Sequence, residues 1–461
     1  MRYLYLLGLG VALCGCSWLY DPSGLPSQAN PDNLSVERVE PTLLLEGIGD
    51  DGGRPALLVI YGNDIASDAT VTIEAKGGAD PMLIVGTPRV DRLGRVLAVP
   101  VTSRVNPGLS GAETLVLDVA VRQPGSDGER VAHVDWSLQG FDELSAAPPN
   151  DGVAHIYSQV KLNGVTLPTT GGPVILRSNS SISIIGDVSV SALLQKGGPG
   201  GGDGGDMGEA GTGPGAGAVV AGLSGDGGGA GFAEPGGGGA VGGKPTGDQL
   251  ITSYADNAGS GGGGAKLVSV TGATGGGGGG TLELTARGAV TIAGVAATGA
   301  AGGEAGTVKG GGGSGGVIVL RSGVMVSATS LDASGSRAAQ ANAGSNGRIR
   351  VDAPVIATTN EAPKAVRGAM FGPELAMVSD SEMLSFKLHG AEALTFNIHV
   401  LAASGALTQT ASLADFQNDD VLDLTAKLKP GYNRICTTPV GSQVALVEST
   451  NCVEVAYLEP P

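Results

Sequence analysis

Carboxylates, imidazoles, thiols and glycine-rich loops are the groups through which this sequence could do chemistry, and their spacing decides which chemistry. Two or three carboxylates on one face, or a carboxylate beside Lys or Arg, would suit acid–base cleavage of a glycan. The candidates in the strand-rich middle of the chain are Asp187, Asp332 and Asp352. In the aligned repeats described below, Asp187 falls opposite Val295 and Leu331, and Asp332 falls opposite Ser or Ala positions, so no ladder of acids forms. His133, His155, His389 and His399 are scattered over strand-like runs and read as structural. Gly311, Gly313 and Gly316 satisfy G-x-G-x-x-G. A phosphate-cradling turn must follow a strand and open a helix, whereas these glycines precede a strand and no helix follows. No catalytic, cofactor-binding or metal residue is assigned.

Composition narrows the partners. The chain has 461 residues with 44 acidic against 27 basic side chains, a formal net charge of -17. That length suggests roughly three domains. An acidic chain repels nucleic-acid phosphates and anionic headgroups, so nucleic acid is excluded as a partner. Between Tyr157 and Phe371 the only aromatic residues are Phe232 and Tyr254, with no histidine and no cysteine. That leaves no stacking platform for single strands or sugars there. Cys436 and Cys452, near the C-terminus, are most simply a disulfide in an exported chain. Such a bridge would stabilise its region by roughly 3 kcal/mol in the chain-entropy account. Metal ligation is the alternative, but neither His389 nor His399 lies at a ligand-like spacing.

The elements that would position these groups are read from pattern. "MRYLYLLGLGVALCGC" has a basic start at Arg2 and an apolar run too short to span a bilayer, as in a signal peptide. Leu13-Cys14-Gly15-Cys16 resembles the bacterial lipobox. That resemblance implies a signal peptide over residues 1–15, acylation of Cys16 and anchoring in a membrane by several chains. Ser17 in place of aspartate favours the outer membrane. Residues 16–34 read as a Pro- and Ser-bearing tether. From residue 35 to 148, short runs such as "ALLVIYGND", "ATVTIEA" and "TLVLDVAVRQ" recur between Gly, Pro and Asp, the spacing of an all-β sandwich. Val36 to Ile73, "VERVEP...LLVIYGNDIASDATVTI", resembles the IPT/TIG type of immunoglobulin-like domain, which implies a spacer or contact module.

Residues 153–357 carry an internal repeat. "GGPVILRSNSSISIIGDVSVSA" starts at Gly171, "GGTLELTARGAVTIAGVAATGA" at Gly279 and "GGVIVLRSGVMVSATSLDASGS" at Gly315. The last two starts are 36 residues apart and the first two 108, three times that period. A fixed period marks a solenoid, here a glycine-rich parallel β-helix with inward Val, Ile and Leu alternating with small polar residues. In it the run "KGGGGSGG" before Val317 reads as corner and inter-coil backbone. Long glycine-rich insertions such as "GGPGGGDGGDMGEAGTGPGAG" separate the coils. Glycine loses the most conformational entropy on ordering, so these are ordered only if backbone packs on backbone, as in a bundle of polyglycine-II helices. The other outcome is disorder. Within that insertion "GGDGGD", Gly201 to Asp206, resembles half of a calcium-binding RTX nonapeptide. Gly208 stands where that pattern wants an aliphatic residue and no tandem repeat follows, so Asp203, Asp206 and Glu209 read as solvated loop acids. Residues 368–461 return to period-two alternation and read as a C-terminal Ig-like β-sandwich.

Lipobox, glycine-rich repeats and Ig-like flanks together resemble glycine-rich outer-membrane lipoproteins of myxobacterial type. The expected class is therefore all-β: an N-terminal Ig-like sandwich, a glycine-rich β-solenoid and a C-terminal sandwich. The expected function is a non-enzymatic anchored stalk, structural or adhesive, contacting envelope proteins or polysaccharide. A subunit of an envelope motility (gliding) or secretion assembly and a polysaccharide-active β-helix enzyme are the alternatives.

Overall fold

The computed structural model describes residues 30–460 apart from 78–79, 107, 112, 168, 223, 239–240, 248–257, 268–271, 337–341, 368–369, 372–374, 391–393, 403–404, 414–419 and 440–451. Cys16 and the segment resembling a lipobox lie outside the described residues. Strands dominate, and no α-helix occurs among the described residues.

The N-terminal strands are β1 (Ser35–Glu40), β2 (Leu43–Leu45), β3 (Ala56–Asn63), β4 (Thr70–Ala75), β5 (Leu83–Val85), β6 (Arg89–Val90), β7 (Val96–Ser103), β8 (Thr114–Gly125) and β9 (Gly128–Gln139). They make two sheets, β1-β3-β7-β5 with β6 beside β7, and β2-β9-β8-β4. Alternation in β4 and β8 sends Val71, Ile73, Leu117, Val119 and Val121 into one core with Trp136. β3 does not alternate, because both of its faces are covered. Leu58 and Ile60 point into that core, while Leu57 and Val59 pack with Val96 and Ala98 of β7 against Ala456 and Leu458.

The middle strands are β10 (Ala154–Tyr157), β11 (Val160–Thr166), β12 (Val174–Ser178), β13 (Ile182–Ser189), β14 (Thr281–Ala286), β15 (Val290–Ala296), the short β16 (Glu304–Ala305) and β17 (Val308–Lys309), β18 (Val317–Ser322), β19 (Met325–Asp332), β20 (Arg348–Asp352), β21 (Val355–Ala362) and β22 (Val366–Arg367). Apart from the β16–β17 pair, they form two open sheets, β10-β12-β14-β18-β20-β22 and β11-β13-β15-β19-β21. Every ladder in these two sheets is parallel. The chain enters one sheet, crosses to the other, and returns one strand further along. The register reproduces the sequence period: β14 meets β18 at 36 residues, Thr281 on Val317, and β12 meets β14 at 108, Val174 on Leu282. Like residues therefore stack in rows. Leu176, Leu284, Leu320 and Val351 form one inward row, and Val160, Ile182, Val290 and Val326 face them from the other sheet. Both rows share one core.

One expected alignment is corrected. Asp187 pairs with Gly294, not Val295. A register shift between Ile184 and Asp187 puts one additional residue into β13, where Gly186 takes φ 95°. That left-handed backbone suits glycine, and the extra residue is a β-bulge.

The C-terminal strands are β23 (Met370–Phe371), β24 (Val378–Ser379), β25 (Met383–Gly390), β26 (Leu394–Ala402), β27 (Gly405–Leu413), β28 (Asp420–Lys427), β29 (Gly431–Pro439) and β30 (Cys452–Tyr457). They form the sheets β23-β25-β28 and β24-β30-β29-β26-β27. Phe371, Phe386, Leu388, Ile398, Val400, Ile435 and Val455 fill a core of their own. A disulfide joins Cys436 to Cys452, which are direct cross-strand partners.

Candidate functional site

The described parts of the glycine-rich chain between β13 and β14, with those of the glycine runs ahead of β18 and β20, bond to one another through their main chain. A run without side chains has no apolar surface to bury, so only its main chain can hold it. In the run ahead of β18, the N–H groups of Gly310, Gly313 and Gly316 donate to the carbonyls of Gly303, Ala300 and Ala297 at 2.9, 2.9 and 2.7 Å. Gly311 and Ser314 donate to Gly263 and Ser260 at 2.8 and 3.0 Å, and Gly312 and Gly315 to Asn342 and Ser345 at 2.9 and 3.0 Å. Each direction recurs at every third residue, and no bond stays within the run.

The run ahead of β14 follows the same rule. Gly275 and Gly278 donate to Gly205 and Gly202, Gly276 and Gly279 to Gly311 and Ser314, and Gly277 and Gly280 to Leu194 and Val190. Three residues per turn without internal hydrogen bonds is the geometry of an extended threefold helix. The glycine runs are therefore ordered rods, each bonded to neighbours on several sides, as in a polyglycine-II bundle. The run "KGGGGSGG" is one such rod, which refines its expected role as a corner.

The rods tolerate little but glycine. A Cβ at Gly311 would land on the carbonyl oxygen of Gly228, and one at Gly313 on that of Gly277. The Cα hydrogens thus face carbonyl oxygens, a weak contact repeated many times. Where side chains occur in the bundle they act as fasteners. Ser314 Oγ accepts from the Ser260 N–H at 2.8 Å, and Ser260 Oγ from the Gly215 N–H at 3.0 Å. Phe232, fully buried, packs on Val317 and Val319 of β18. The Arg348 guanidinium lies 4.6 Å from the centre of its ring. Side chains reach solvent at the turns between rods: Leu193, Leu194, Met207 and Val220 are exposed. Leu194 is 78% exposed and holds φ 52°.

The residues singled out from sequence are not drawn into one site. Asp203 accepts from Lys196 Nζ at 2.7 Å and the Gly197 N–H at 2.9 Å, while Asp206 accepts from Gln195 at 2.6 Å. Glu209 donates its N–H to the Asp206 carbonyl. Among the described residues no group of three or more His, Cys, Asp or Glu converges as a metal would need. Gly311, Gly313 and Gly316 belong to a rod that runs into a strand. Asp187 and Asp332 lie on the β11-to-β21 sheet and Asp352 on the other. Asp332 caps the Ser334 N–H at 2.9 Å. His133 contacts Asp118 at 2.8 Å, and His155 contacts Asp151 at 3.0 Å, both on exposed strands. His399 sits across from Cys436, and burial pulls its pKa down.

A charged cluster escaped the sequence reading. On the outward face of the β12-to-β20 sheet, Asp352 is fully buried between Arg321 at 3.1 Å and Arg350 at 2.8 Å. Buried Glu283 lies 3.5 Å from Arg321. Desolvation lowers the Arg321 pKa to about 10, with Asp352 pulling the other way. The signal was present as alternate charged positions in "TLELTA", "VIVLRS" and "RIRVD", which the register aligns. The geometry is that of a buried ion-pair network, in which Asp352 lies between two guanidinium groups and Glu283 meets one of them.

No protein family matches this chain, and neither a characterised protein nor a solved structure is similar to it.

Proposed function

We propose that the chain is a membrane-anchored, non-enzymatic surface lipoprotein with a structural or adhesive role toward envelope proteins or polysaccharide. In this reading the two N-terminal sheets are an IPT/TIG-type Ig-like spacer. The two parallel sheets with their glycine rods are a β-helix-like solenoid, and the C-terminal sheets are a second Ig-like sandwich. Cys16 carries the lipid in the outer membrane, and residues 16–34 tether the rest.

The observation that supports it best is the threefold network of the glycine rods. A body held by main-chain bonds on several sides is stiff, and its projecting side chains are concentrated at the turns. That suits presentation of short loops to a partner. The pairing of Asp352 with two arginines also speaks for a structural carboxylate over one offered to a glycan.

The test uses intact cells lacking the endogenous chain and complemented with it. Surface protease should cleave the chain, and cells should adhere to a polysaccharide-coated surface. Replacing Leu194, Met207 and Val220 together by Ser should lower adhesion several-fold while the purified protein keeps its circular dichroism. Complete protection from protease would instead favour a periplasmic assembly subunit. Glycan cleavage that disappears in Asp352→Asn, with folding intact, would favour the enzyme.

A further inference from the structure

Three regions far apart in sequence bring guanidinium groups to one small cavity. Its walls include Arg54, just ahead of β3; Arg287, in the turn from β14 to β15; Arg434 of β29; and Glu454 of β30. Gly323 and Phe371 also line it. The cavity measures about 70 Å³, several times the roughly 10–15 Å³ that one water requires.

Among the described residues, Arg54 and Arg287 bring two guanidinium groups to this cavity against the single carboxylate of Glu454, while Arg434 has interactions of its own. Glu454 is already engaged: one oxygen accepts from the Tyr432 hydroxyl at 2.9 Å and the other from the Leu57 N–H at 3.0 Å. Arg54 donates to the Leu375 carbonyl at 2.7 Å and the Glu454 carbonyl at 3.2 Å, but its buried Nε has no partner among the described residues. No hydrogen bond or ion pair of the Arg287 side chain occurs among the described residues. Burial lowers the Arg54 pKa to about 10, with Glu454 compensating only in part. Burial also lowers that of Arg287, Glu454 again opposing it and Arg434 adding to it. An unpartnered buried N–H and uncompensated guanidinium charge are costly, and a forked guanidinium is the side chain that best matches an oxyanion.

We propose that this cavity binds one small oxyanion, phosphate or sulfate, free or as the terminal group of a polysaccharide, held chiefly by Arg54 and Arg287. The bound anion joins the N-terminal sheets, the parallel sheets and the C-terminal hairpin β29–β30, because each contributes an arginine. The site is independent of the adhesive reading and stands or falls by itself.

Equilibrium dialysis of the full chain with labelled sulfate, at fixed ionic strength, tests it. Saturable binding of about one sulfate per chain is expected, with competition by phosphate and not by chloride. Arg287→Gln and Arg54→Gln should each weaken binding at least tenfold, while Arg89→Gln, whose guanidinium pairs with exposed Asp380, should leave it unchanged. Displacement of sulfate by a sulfated polysaccharide would identify a polysaccharide group as the occupant, and resistance to it would identify the free ion. Absence of saturable binding to the unaltered chain below ~10 mM overturns the proposal whatever the variants do. Binding unaffected by both Arg54→Gln and Arg287→Gln overturns it as well.

Discussion

At Gly311 the physics of the bundle reduces to one missing methyl group. Its Cβ position is occupied by the Gly228 carbonyl, main chain that cannot swing aside. Gly303, bonded into the same bundle, has Thr274 as its nearest neighbour at 3.4 Å, ordinary contact. Gly311→Ala should therefore cost about 3 kcal/mol through overpacking. Gly303→Ala should be neutral within about 0.5 kcal/mol, or slightly stabilising through a less flexible unfolded chain. Urea unfolding of the two variants checks the contrast, and equal effects would mean that the rods are not packed as described. Glu46 offers a second test at this scale. It is fully buried and accepts from the N–H groups of Asn106 at 2.5 Å and Phe141 at 2.8 Å. Desolvation raises its pKa, those N–H groups oppose the rise, and nearby Asp142 adds to it. Because the folded pKa lies above the unfolded one, the folded state binds the proton first. The Glu46 contribution to stability thus grows as pH falls from neutral through the folded pKa, and is complete below the unfolded value. Glu46→Gln lacks this term, so unaltered protein should gain on the variant between pH 7 and pH 4. A stability difference independent of pH would remove the titration of Glu46 as its source.

At the scale of the sheet, Asp352 is the charge on which its neighbours depend. Removing one member of a buried ion network leaves the others uncompensated, typically at a cost of about 3–5 kcal/mol. Asp352→Asn should cost that much, because Arg321 and Arg350 would face a neutral amide. Asp187→Asn on the exposed face of the other sheet should change stability by less than about 0.5 kcal/mol. Chemical denaturation of both variants measures this directly. How much of this element was legible follows the same division between side chain and main chain. The rows Leu176-Leu284-Leu320 and Ile182-Val290-Val326 could be read from the 36- and 108-residue offsets, because parallel pairing keeps like residues in register. Asp187 was misplaced by one because a bulge is set by backbone conformation at Gly186, which an alignment of side chains does not register. The glycine rods were legible as a composition and as a packing problem. Their partners were not, since Gly311 bonds to Gly263 and nothing in either residue type encodes the pairing. Arg54, Arg287 and Arg434 meet only through tertiary docking, so no local spacing could have joined them.

At the scale of the whole molecule, the C-terminal strands return to the N-terminal sheet. "ALLVIYGND" carried a hint, since a strand apolar on both faces needs two covers. The core supplies one, and Ala456 and Leu458 supply the other by packing on Leu57, Val59, Val96 and Ala98. Polar contacts fix the same junction: the Tyr432 N–H donates to Tyr61 Oη at 2.9 Å, the Arg92 N–H to the Glu459 carbonyl at 3.2 Å, and Arg89 pairs with Asp380 at 2.7 Å. The exposed ion pair contributes little, so burial of apolar side chains carries the docking. Leu458, 2% exposed, lies beyond β30 and outside the C-terminal core. Leu458→Glu would place an unpaired charge in that junction without entering the core of either set of sheets, and a buried unpaired charge costs several kcal/mol. The C-terminal sheets should then separate from the N-terminal ones while both stay folded. Small-angle scattering should show a larger radius of gyration with unchanged far-ultraviolet circular dichroism. The same variant should also weaken sulfate binding, because Arg434 and Glu454 would leave the cavity that Arg54 and Arg287 line. An unchanged radius of gyration would show that the polar contacts suffice to hold the junction, and the ranking of apolar burial above them would have to be reversed.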